Sequence, residues 1–230
     1  MLMPTNTKIP ILGFPFALLA LYMPPELWFA FVATSIVMLA IPGPTVLTVV
    51  SYSMTQGTAA RIPLVTAVAL GDATALTLSL IGLGALLSTS AMWFTVIKWL
   101  GGLYLLYLGF NLFRAGISSE RLATPKIPDS RWKLFFNTWL VTALNPKGIV
   151  FFVAFLPQFI DSSAAVVPQL WILSITFVAL ATLSASLYAL FAARASRLLT
   201  SPRSQRRFNM AGGALLSTAG IWALTANRPA

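Results

Sequence analysis

The chain contains no cysteine and no histidine. Disulfides, thiol chemistry, haem ligation by imidazole and the usual zinc and copper sites are therefore excluded. The commonest general base is also missing, so an enzyme built on this sequence would need Asp, Glu, Lys or Tyr for every proton transfer. Charge is scarce as well. Only 9% of the 230 residues are charged and five are acidic, against roughly 25% charged residues in soluble domains. A surface with so few charges is poorly suited to water.

Apolar residues make up 58% of the chain. They fall in blocks of about 20, the length that crosses a hydrocarbon core of about 30 Å. Lipid offers backbone groups no hydrogen bonds, so such blocks become helices. The short alternating segments of a β-barrel are not seen. Six spans are expected, near residues 27–50, 64–87, 91–113, 134–159, 166–193 and 208–225. The fold class is thus an all-α integral membrane protein. Residues 1–25 form an N-terminal extension, either signal-like or lying upstream of a native start at Met23. Residues 26–114 and 133–226 hold three spans each, joined by a basic cytoplasmic linker at 115–132.

The net charge of +10 does not point to nucleic acid, because the basic residues sit in loops between apolar blocks. Arg114, Arg121, Lys126, Arg131 and Lys133 cluster between spans three and four; Arg194, Arg197, Arg203, Arg206 and Arg207 cluster between five and six. Arg61 lies between spans one and two, and the two remaining loops carry no basic residue. The positive-inside rule then puts the basic loops in the cytoplasm and both termini outside.

The halves resemble each other. Leu100-Gly101-Gly102 with Gly109 in span three matches Ala211-Gly212-Gly213 with Gly220 in span six, and Val68-Ala69-Leu70 in span two matches Val178-Ala179-Leu180 in span five. The offsets are 110 or 111 residues. An odd number of spans per half inverts the second half relative to the first, the plan of many secondary transporters. Small residues recur wherever membrane helices pack closely, so the repeat rests on several matches occurring in one order.

Prolines interrupt span one at Pro42-Gly43-Pro44 and span four at Asn145-Pro146. Each proline removes a backbone donor. Pro42 and Pro44 should open the first helix, while Asn145 reads as an N-cap with Pro146 at the first helical position. Paired breaks at related positions point to a transport site, and a half-helix N-terminus suits a carboxylate. The bland alternative is a pair of kinks.

Asp72 is the sole acid in the middle of a span, roughly 15 Å beyond Arg61 at 1.5 Å per residue. An aspartate there costs about 2.5–3.5 kcal/mol and usually faces the bundle interior. It could carry a proton, hold a substrate amine, pair with a lysine, or make a structural hydrogen bond. Lys147, just after the second break, is a candidate partner for Asp72 or for a substrate carboxylate, or else reaches back to headgroups through its long stem. Lys98 has no assigned role. Thr45, Thr48, Thr74, Asn137, Thr142 and Asn145 add neutral hydrogen-bonding groups, and Trp93 and Trp99 read as interface or packing aromatics. A transport site requires both breaks to meet beside Asp72.

Pro42-Gly43-Pro44, Leu70-Gly71-Asp72, the Gly101-to-Gly109 stretch, Asn145-Pro146-Lys147 and Phe155-Leu156-Pro157-Gln158-Phe159 occur in this order from about Met23 to Trp222. In this the chain resembles the LysE/RhtB family of amino-acid exporters. The resemblance implies a multi-pass exporter in the bacterial inner membrane, moving amino acids or close derivatives of the homoserine and threonine kind. It implies coupling to the proton gradient, with no cofactor, no metal and no catalytic residue. Pro42, Gly43, Pro44, Thr45, Asn145, Pro146, Lys147 and Asp72 would be the substrate-binding or coupling residues, with lipid and a possible second copy of the chain as further partners. Thr45 departs from the Asn or Asp common after the first motif, Ala67 from a frequent glycine, and Gly148 from a frequent alanine; the Thr45 change bears on substrate choice. The competing readings are an exporter of another small solute or a cation, an assembly subunit without substrate, and an intramembrane enzyme. The absence of His and Cys argues against soft metals and weakens the enzyme reading.

Overall fold

The computed structural model describes residues 22–87, 130–161, 163–195 and 201–225, together with single helical positions between Met92 and Arg114. Among the described residues there is no strand. Helix α1 is Pro25–Ala40, α2 Pro44–Gln56, α3 Arg61–Leu87, α4 Arg131–Ala143, α5 Pro146–Val150, α6 Val166–Leu190 and α7 Pro202–Thr225.

Among the described residues three helical stretches are long and apolar enough to cross a membrane: Pro44–Gly82, Arg131–Phe159 and Val166–Leu190; α1 is apolar but shorter. The outward faces are as apolar as the interior, with Trp171, Ile175 and Leu183 of α6 all more than half exposed. Lipid, not water, is the solvent that such a surface suits. Helix α7 covers the expected sixth span and begins six residues earlier than expected, at Pro202. The expected third span falls mostly outside the described residues; its described positions are helical. The N-terminal segment up to Leu21, Trp93, Lys98, the glycines Gly101, Gly102 and Gly109, and most of the 115–132 linker also lie outside the described residues.

Side-chain clusters give the direction of each helix. Tyr52 at the end of α2, Ala60, Leu64 at the start of α3 and Leu134 at the start of α4 pack together. Val49 and Val68 meet Ala185 and Ala189 near the end of α6. These contacts bring Arg61, Lys133 and Arg194 toward one end of the bundle. At the other end Met23 and Leu27 pack with Phe155 and Phe159. The α1–α2 pair therefore runs toward the basic end, and the α4–α5 pair runs away from it.

A π turn over Phe151–Phe155 and a 3-10 turn over Leu156–Phe159 follow α5. The sequence marks a break at Asn145-Pro146 and an end of the span near Phe159, but no change of turn between them. The wider π turn changes the facing of successive residues, so Phe151, Phe152 and Phe155 are all buried at 4%, 0% and 1% exposure. Phe152 meets Phe177 of α6 edge-on at 4.8 Å between ring centroids, and Phe31 of α1 meets Phe159 edge-on at 5.3 Å. This aromatic core fixes α5 against α1 and α6.

Gln169 clamps the loop that follows. Its Oε1 accepts from the Asp161 amide at 2.8 Å, and its Nε2 donates to the Asp161 carbonyl at 2.8 Å. The side chain is fully buried. Gln169→Leu removes both bonds and a third, from Nε2 to the Ala165 carbonyl at 3.2 Å, an expected loss of about 2 kcal/mol. Thermal unfolding in detergent should fall by about 4–8 °C for a chain of this size; an unchanged midpoint would mean the loop is held by other contacts.

Candidate functional site

The first break follows from its prolines by register. A proline removes the bond to the carbonyl four residues earlier, so Pro42 orphans Met38 and Pro44 orphans Ala40. Both carbonyls find replacement donors. Lys147 Nζ donates to Met38 O at 3.0 Å and also to Ile41 O at 2.7 Å. The Tyr188 hydroxyl donates to Ala40 O at 3.2 Å. The end of α1 is thus sealed by side chains from α5 and α6, as a helix end inside lipid must be.

The second break forms as its sequence suggests. Asn145 Oδ1 accepts from the Lys147 amide at 3.1 Å, with Pro146 opening α5. Asn145 also joins the two breaks, since its Nδ2 donates to Thr45 Oγ1 at 3.1 Å. The Lys147 side chain lies against Gly43: a Cβ there would sit in ordinary contact, 3.4 Å from Nζ and 3.5 Å from Cε.

Where the breaks meet, a cavity of about 40 Å³ is lined by Gly43, Thr45, Asp72, Asn145 and Lys147, with Ser184 and Tyr188 on the α6 side. That is room for a few water molecules and less than an amino acid needs. Asp72 is 8% exposed and lines this cavity. Among the described residues its carboxylate has no hydrogen-bond partner and no cation within 4.0 Å, although Lys147 is close enough to act on it through space.

Asp72 is held in place by Gly71. A Cβ at Gly71 would come within 2.6 Å of Thr142 Cβ and 3.0 Å of the Trp139 carbonyl. Helices α3 and α4 therefore touch backbone to side chain, with Trp139 Nε1 donating to Thr74 Oγ1 at 3.3 Å beside the contact.

The structure brings Gly43, Thr45, Asp72, Asn145 and Lys147 around one cavity; Pro42, Pro44 and Pro146 shape the breaks without lining it. Lys147 sits neither in an ion pair with Asp72 nor out toward headgroups, because the orphaned carbonyls of α1 hold its ammonium. Asn137 is exposed and takes no part. Tyr188 and Ser184 were not singled out from the sequence. A phenol in an apolar helix that must find a partner was the available signal for Tyr188. None marked Ser184 among the other small residues of α6.

The LysE type translocator family matches residues 36–227. An uncharacterized membrane protein of Vibrio cholerae is 32% identical over 207 residues, covering 87% of this chain and 98% of that protein. The homoserine/homoserine lactone efflux protein of Salmonella typhimurium is 31% identical over 195 residues, covering 85% of this chain and 94% of that protein. The leucine efflux protein of Salmonella choleraesuis is 30% identical over 137 residues, covering 60% of this chain and 65% of that protein. No solved structure matches.

Proposed function

This chain belongs to the LysE type translocator family, a family of transporters and not of enzymes, and from that premise we infer that it exports amino acids or close derivatives across the bacterial inner membrane. The observation that carries the reading is the small cavity where two proline-broken helices meet beside Asp72. Relatives named for homoserine, homoserine lactone and leucine efflux support the cargo class. Lactone formation consumes the carboxylate, so the ammonium group is the polar feature those cargoes have in common. A cavity offering a carboxylate and helix-end carbonyls suits an ammonium ion.

The proton gradient drives the export, with Asp72 as the coupling residue. Cargo and proton use the cavity alternately, reached first from the basic, cytoplasmic end and then from the opposite end. The opposed run of α1–α2 and α4–α5 supports a pair of inverted three-helix halves, with both termini outside. Transport by such halves is rocking of one against the other around a fixed site.

The test is a panel of radiolabelled amino acids in proteoliposomes, with and without an imposed pH gradient. Homoserine or threonine should move opposite to the proton flux, and a protonophore should abolish that movement. If no amino acid in the panel moves, the export reading fails.

A further inference from the structure

We propose that the carbonyls of Met38 and Ile41 are the seat for the cargo's ammonium group, and that the Lys147 ammonium occupies this seat as a resident stand-in that the cargo displaces. The identity of the cargo rests on the export reading; the seat itself does not.

The argument starts from the break. Pro42 leaves the Met38 carbonyl without its helical donor, and the turn away into α2 frees that of Ile41. These oxygens lie at the C-terminal end of α1, where the helix dipole favours a cation. The two oxygens converge on one nitrogen, at 3.0 and 2.7 Å. An ammonium offers three donors and no acceptor, so the seat selects primary ammonium ions by both charge and hydrogen-bond direction.

Lys147 is suited to leave. Its backbone is pinned by Asn145, while its four-carbon stem is flexible and lies against Gly43, where no Cβ blocks its path. It also has a destination. Asp72 lines the same cavity, and among the described residues its carboxylate has no hydrogen-bond partner. When a cargo ammonium takes the seat, Lys147 swings to Asp72. The exchange takes the cavity from one cation and one carboxylate to two cations and one carboxylate, with the carboxylate of an amino-acid cargo as the second anion, and it leaves neither the Met38 nor the Ile41 carbonyl without a donor. This accounts for the small volume of the cavity: a part of the protein fills the cargo's place.

Two measurements test it. In the first, purified wild-type protein is treated with an amine-acylating reagent, and modification of Lys147 is read by mass spectrometry. n-Propylammonium also consumes the reagent, so modification of Lys147 is read as a ratio to that of the exposed Lys133 in the same digest. This ratio should rise several-fold with n-propylammonium, which drives Lys147 from the seat, and should not with propionate. An unchanged or reduced ratio with n-propylammonium overturns the proposal. Because this probe needs no transport, the result stands even if the amino-acid panel shows no export. In the second, Lys147→Met vacates the seat. Apparent affinity falls with the fraction of protein whose site is free, so n-propylammonium should bind about tenfold more tightly to this variant than to wild type. Equal or weaker binding by folded Lys147→Met protein also overturns it. If the variant does not fold, the wild-type modification experiment decides.

Discussion

Asp72→Asn is expected to abolish gradient-driven efflux while leaving membrane insertion and folding intact. Asparagine keeps the shape of the side chain and removes its charge and its proton-carrying capacity. The carboxylate is 8% exposed and has no hydrogen-bond partner among the described residues, so its loss breaks no structural bond. Placing an aspartate at mid-membrane costs about 2.5–3.5 kcal/mol; the neutral variant should therefore be at least as stable to heat as wild type. Efflux in proteoliposomes under a pH gradient should drop by about 100-fold, which corresponds to about 2.7 kcal/mol. Residual movement should no longer respond to the gradient. Full gradient-driven efflux by Asp72→Asn would remove this residue from the mechanism.

Gly71→Ala is expected to damage the fold, because among the described glycines Gly71 alone would bring a new Cβ within 3.0 Å of its neighbours. Helix propensity alone favours alanine by about 1 kcal/mol. The contact opposes it: the new Cβ would lie 2.6 Å from Thr142 Cβ, 2.9 Å from Thr142 Cγ2 and 3.0 Å from the Trp139 carbonyl. One of these atoms is backbone and another is a Cβ, so neither can rotate away. Overpacking of this kind costs about 1–3 kcal/mol and occasionally more, and the upper end is expected here. The unfolding midpoint in detergent should fall by about 6–12 °C. Adding Thr142→Gly removes two of the three contacts and should restore part of the loss. No recovery in the double variant would show that the α3–α4 approach is not what Gly71 provides. Material that still folds should transport poorly, because the residue displaced next is Asp72.

Much of the site was legible because proline acts locally. Pro42, Pro44 and Pro146 stop a helix wherever they stand, and Asn145 caps whatever helix Pro146 begins. The apolar blocks and the single deep acid were equally plain, since lipid allows little besides helices and penalises a stray charge. The π turn at Phe151–Phe155 was not legible. A run of phenylalanines satisfies a continuous helix as well, and the wider turn is chosen only because Phe31 and Phe177 offer a pocket for all three rings.

Lys147 shows most clearly where sequence reasoning stops. Its depth was readable, and three partners were weighed for it: Asp72, a substrate carboxylate and the headgroups. The structure chose a fourth, the carbonyls of Met38 and Ile41, more than a hundred residues away in the chain. By itself the sequence determined that this chain lies in lipid as helices, that two of them break, and that one carboxyl group is buried at mid-depth. These follow from rules that act within a few residues or from the cost of leaving water. Only the tertiary structure decided which donor seals each orphaned carbonyl, that Asn145 reaches Thr45 across the two breaks, and that Tyr188 closes the remaining gap. Such pairings depend on the approach of separate helices, here set by Gly71 against Thr142, and no local pattern encodes that distance.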